Sequence, residues 1–141
     1  MAVIEGIFVP NIVPYDAQGR IAEDELRHII RWLVSKGVTG FYPNGSMGEF
    51  IRLSYEERKR VLKIVVEEAA GKPILAGAAE PNVDLVLEMC RYCADLGCRA
   101  VSITGPYYFK LSAGQHRKIL PGNRGQVADR HHRLQHPGVR K

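Results

Sequence analysis

Between residues 23 and 97 the chain repeats one pattern: an apolar stripe of helical period, a glycine that ends it, then a short apolar run. Leu26, Ile29, Ile30, Leu33 and Val34 fall at i, i+3, i+4, i+7 and i+8 and stop at Gly37. Val61, Leu62, Val65, Val66 and Ala69 form a second stripe closed by Gly71. Val86, Leu87, Cys90, Cys93, Ala94 and Leu96 form a third, closed by Gly97. The short runs at residues 4–9, apart from Glu5 and Gly6, and at 38–42, 73–79 and 100–104 are mostly apolar without alternation, as strands buried on both faces are. Such alternation predicts consecutive βαβ units around a parallel sheet. Two closures compete, a barrel and a doubly wound open sheet, and both place their chemistry in loops at the C-terminal ends of the strands.

The loop richest in chemistry follows the second run: Asn44-Gly45-Ser46-Met47-Gly48-Glu49, then Leu53-Ser54-Tyr55-Glu56-Glu57-Arg58. Ser54 with Glu57 is an S-x-x-E capping box that starts the second helix, and Asn82 caps the third. Gly45 and Gly48 let the backbone come close to a ligand, and backbone amides with a hydroxyl can hold a carboxylate. A plain connection is the bland alternative for this loop taken alone. It has companions in order along the chain: Pro14-Tyr15-Asp16, Ala76-Gly77 and Pro106-Tyr107-Tyr108. As a set, these motifs resemble the dihydrodipicolinate synthase / N-acetylneuraminate lyase family over about residues 4–111; its signature reads G-[ST]-T-G-E, then L-S-x-E-E-R.

The resemblance implies a parallel (β/α)8 TIM-type barrel. A complete barrel needs roughly 250 residues, so the chain of 141 would hold about the first four strands and three helices. It implies a class I aldolase or lyase, in which a lysine on a later strand forms a Schiff base with pyruvate or another small 2-keto acid for C–C cleavage or condensation. Ser46 would bind the keto-acid carboxylate or relay a proton, with Gly45 and Met47 beside it in the substrate-binding turn. Tyr108 would extend the relay into the neighbouring subunit's site, since intact relatives are homo-oligomers. No cofactor and no metal are called for. Met47 stands where the family often has threonine, and losing a hydroxyl bonded to a charged carboxylate costs about 1.5 to 3 kcal/mol if nothing replaces it. That points mildly away from the lysine-biosynthetic member. The Schiff-base lysine strand is not in the chain as written, so inactivity alone is expected. The alternative is a non-catalytic truncated fragment that self-associates through its open half-barrel.

Residues 1–111 carry 13 Lys/Arg against 14 Asp/Glu, whereas residues 112–141 carry 7 Lys/Arg against Asp129 alone. The tail has no aromatic residue and no period, and is expected to be non-homologous and poorly ordered. Codon choices exist for which a shift of one nucleotide from Ala113 onward gives PASIEKYFREIAGKSPIDITVYNIPAFA. That string carries an amphipathic helix and the Tyr-Asn-x-Pro motif found in the family after strand five, so a reading-frame change near residue 112 is expected. Nucleic-acid binding through the basic tail is a minor alternative, because charge without interleaved aromatics gives only salt-sensitive attraction. His132 and His136 have an H-x3-H spacing beside His131, but glycine and proline neighbours argue against a metal site.

Several residues have plain structural readings. Cys90 and Cys93, with Cys98 nearby, read as buried structural thiols rather than a redox or zinc motif. Tyr107 and Tyr108 could be core aromatics, Glu49 a hydrogen-bonding anchor, and Lys110 a solvated residue at a strand end. The first residues, MAVIEGIFVPNIVPYD, have neither a basic leader nor a long apolar stretch, so no signal peptide or membrane partner is expected, and the cytoplasm is the expected location.

Overall fold

Short parallel strands alternate with helices in the computed structural model, which describes residues 4–104. The order is β1 (Phe8–Val9), α1 (Glu23–Ser35), β2 (Gly40–Phe41), α2 (Tyr55–Glu68), β3 (Leu75–Gly77), α3 (Val83–Asp95) and β4 (Ala100–Ser102). β1 pairs with β2, placing Phe8 opposite Gly40, and β3 pairs with β4, placing Gly77 opposite Ser102. A parallel bridge from Phe41 to Ile74 joins β2 to β3. Spatial order therefore equals chain order, the arrangement of a barrel wall, whereas a doubly wound sheet would reverse its direction of winding.

The helices sit where their caps and stripes put them. Ser54 accepts a hydrogen bond from the Glu57 amide while Glu57 accepts one from the Ser54 amide at 2.8 Å, the reciprocal capping box. The Asn82 side chain accepts from the Asp84 amide at 2.9 Å. Gly37, Gly71 and Gly97 end the helices at φ of +78°, +75° and +76°, the left-handed region that favours glycine. Phe41, Ile74, Ala76, Ala78 and Val101 of the sheet pack with Leu26, Ile30, Val61, Leu62, Val65, Leu87 and Cys90 of the helices. Ile64 and Met89, off the expected stripes, are buried as well. For Ile64 the reason is that α2 has a helix on each side. It packs on α1, and on the other side Tyr55 and Tyr92 hydroxyls donate to the Leu85 and Lys59 carbonyls.

The expected strand over residues 4–9 is corrected to Phe8–Val9, with Ile4 and Ile7 exposed. β1 has a single strand neighbour among the described residues, and Gly6 at φ +99° bends the chain before it. The thiols of Cys90, Cys93 and Cys98 are free and buried, and burial pushes Cys90 up to about 11. Among the described residues, no helix is long and apolar enough to cross a membrane. The readings made for Tyr107, Tyr108, Lys110, the histidines and the tail lie outside the described residues.

One ion-pair cluster ties α1 to α2: Glu68 bridges Arg27 and Arg31, each at 2.7 Å. These hydrogen bonds hold the Glu68 carboxyl down at about 2. A lowered folded value means that the stabilisation is present at neutral pH and is lost as the pH falls from about 4 toward 2. Glu68→Gln is expected to cost about 1 kcal/mol at pH 7, with the gap to the parent closing by pH 2. Urea unfolding of both proteins at several pH values checks this, and a pH-independent gap would contradict it.

Candidate active-site loop

The strands run parallel, so the segments after Val9, Phe41, Gly77 and Ser102 gather at one end of the sheet. The loop after β2 has the most elaborate support there. Pro43, Asn44 and Gly45 are buried, and Asn44 takes φ +57°, a left-handed conformation that asparagine tolerates better than most residues. Its side-chain amide donates to the Arg58 carbonyl at 3.1 Å. The Gly77 amide donates to the Pro43 carbonyl at 2.8 Å, which fastens the same loop to β3.

From this buried base the chain rises into a 3-10 turn, Ser46–Gly48. The turn uses the amides of Gly48 and Glu49, which donate to the carbonyls of Gly45 and Ser46 at 3.1 and 3.0 Å. The amides of Ser46 and Met47 are not consumed by these bonds, and both side chains are exposed. An exposed hydroxyl beside leading turn amides is a chemistry suited to a carboxylate. Gly48 is buried, and a Cβ there would lie 3.1 Å from the Asn11 carbonyl, so β1's exit packs directly under the turn. Glu49 closes the turn at φ +49° and pairs with Arg52 at 2.9 Å. Arg52 in turn lies 4.7 Å from the Tyr15 ring centroid. Burial raises the Tyr15 hydroxyl above its ordinary value, partly offset by Arg52.

Gly45, Ser46 and Met47 thus lie together at the mouth of the sheet, and Tyr108 falls outside the described residues. The bracing of this end was not read from the sequence, although Asn44 and Arg58 stand in the quoted motif. The Tyr42 hydroxyl bonds Ser102 Oγ at 2.9 Å, linking the exits of β2 and β4. Asn44 had a local signal, since Asn before Gly often takes a left-handed conformation. Arg58 had one too, because it shares the spacing of Val61, Leu62 and Val65 and so lies on the core stripe. Among the described residues no group of His, Cys, Asp or Glu is arranged to hold a metal.

Comparison with known proteins gives a consistent picture. The profile of the dihydrodipicolinate synthetase family matches residues 3–119. The chain is 33% identical over 109 residues to the 4-hydroxy-tetrahydrodipicolinate synthase of Brucella abortus, an overlap of 77% of this chain and 37% of that protein. Its structure superposes on the N-acetylneuraminate lyase from Fusobacterium nucleatum with a TM-score of 0.81 and 32% identity, covering 86% of this chain and 43% of the lyase. On the 2-keto 3-deoxygluconate aldolase from Picrophilus torridus the TM-score is 0.78 at 34% identity, covering 84% and 44% of the two chains. The chain therefore spans well under half the length of the relatives it matches.

Proposed function

Because the chain belongs to the dihydrodipicolinate synthetase family, we propose that it forms the N-terminal half of a class I, pyruvate-type aldolase or lyase acting on a small 2-keto acid. The observation that carries this reading is the turn at Ser46. A buried, cross-braced base presents a hydroxyl and leading amides at the strand ends, where such barrels do their chemistry. In this reading Gly45, Ser46 and Met47 receive the keto-acid carboxylate, Ser46 and Tyr108 move protons, and a lysine of the complementary half forms the Schiff base. By itself the chain is then inactive. Met47, 57% exposed at the turn, offers no hydroxyl, which argues mildly against aspartate semialdehyde with pyruvate as the substrates. Buried free thiols accord with a cytoplasmic location.

The test is a fusion of residues 1–111, which keeps Tyr108, to the C-terminal half of the Fusobacterium lyase. Turnover of N-acetylneuraminate, a 2-keto-3-deoxy acid, or pyruvate with aspartate semialdehyde would support the reading, and a folded fusion inert toward all of them would count against it.

A second reading, self-association of the chain alone, draws on its exposed large apolar side chains. Ile7 is 71%, Ile51 68% and Met47 57% exposed, apolar surface that a second copy would cover. Light scattering across a hundredfold concentration range should show growth in mass, while a constant monomer would refute it.

A further inference from the structure

We propose that Arg58 is a positioning residue for the Ser46 turn, fixing the α2 carbonyl to which Asn44 is tethered; its relevance to substrate rests on the function proposed above. Arg58 lies on the core face of α2 and is 1% exposed, where a lone charge is not tolerated. Its guanidinium pairs with Glu80, beyond the end of β3, and lies 5.3 Å from the centroid of the Phe50 ring. Its carbonyl takes the Asn44 side-chain amide at 3.1 Å. One residue thus joins the exit of β3, the turn that follows Glu49 and the base of the Ser46 loop.

Stability alone does not call for an arginine here. A buried ion pair is often no better for stability than apolar residues of similar volume. What a leucine or methionine lacks is a planar cation whose Nη1 donates to the Glu80 carboxylate while the guanidinium lies beside the Phe50 ring, and so sets α2 in register with β3. That register decides where the Arg58 carbonyl lies, hence where Asn44 turns and where Ser46 emerges. Tests of fold and tests of register should therefore separate in variants of Arg58.

Amide hydrogen exchange on the full chain reads both at once. In Arg58→Met the amides of Gly48 and Glu49 should exchange roughly tenfold faster, whereas those of Ala78 and Arg99 in the β3–β4 ladder stay within about twofold of the parent. Arg58→Lys keeps a cation for Glu80 and should recover about half of the loss on a logarithmic scale. Glu80→Gln, which preserves a neutral acceptor and is less disruptive, should quicken the same two amides by roughly threefold. Unchanged exchange at Gly48 and Glu49 in Arg58→Met and Glu80→Gln would overturn the proposal, as would a uniform rise across the chain. If Arg58→Met does not fold, Glu80→Gln decides alone. The readout needs no substrate, so an inert fusion with selective loop exchange would sink the functional reading alone, and flat exchange with an active fusion would sink this one alone.

Discussion

Gly77→Ala is expected to destabilise the fold by about 3 kcal/mol, more than most single methyl additions do. The added Cβ would fall 2.1 Å from the Asn44 carbonyl oxygen and 2.7 Å from its carbon. Both obstacles are backbone, so no side-chain rotation relieves the overlap. Moving the loop away would also break the 2.8 Å hydrogen bond from the Gly77 amide to the Pro43 carbonyl. For a unit of this size, a loss of about 3 kcal/mol lowers Tm by roughly 15 °C. Gly71→Ala is the control: its φ of +75° carries a backbone penalty, but no atom lies within 4 Å of the new methyl. That penalty is about 1 to 2 kcal/mol, so the control should fall between parent and Gly77→Ala in thermal unfolding. Equal midpoints for the two variants would show that the loop yields freely and that its base is not braced as described.

Ser46→Ala in the fusion enzyme is expected to lower kcat/KM about ten- to a hundredfold, the equivalent of losing one charge-assisted hydrogen bond of about 1.5 to 3 kcal/mol. Ser46 is exposed and has no part in the buried base, so Tm should barely move. If Ser46 only binds the carboxylate, equally in ground and transition states, the loss appears in KM; if it moves a proton, kcat falls. Steady-state rates on whichever substrate the fusion turns over distinguish these outcomes. Rates equal to the parent's would remove Ser46 from the site.

Much of the fold was legible because its determinants are local. The capping box at Ser54 and Glu57 and the left-handed glycines at 37, 71 and 97 act within one turn of chain, and helix ends follow them closely. The period alone left strand order open, since alternating strands and helices suit a barrel and an open sheet equally; the family motifs supplied the barrel, and the Phe41 to Ile74 bridge agrees with it. The failure at Ile4 and Ile7 has a similar origin: an apolar run is buried only if neighbours cover it, and β1 pairs on one side alone among the described residues. At the candidate site the motif exposed Gly45, Ser46 and Met47, but not what holds them. The partner of Arg58 lies 22 residues away at Glu80, a separation with no periodic or motif signature.

The most direct measurement is borohydride trapping with pyruvate, read by intact mass and peptide mapping on the chain alone and on the fusion to the lyase C-terminal half. The expected result is one pyruvate-sized adduct on a lysine of the C-terminal half in the fusion, and no adduct on the chain alone. An adduct on any lysine within residues 1–141, or a folded fusion that takes none, would contradict the assignment of this chain as the non-lysine half of a Schiff-base aldolase.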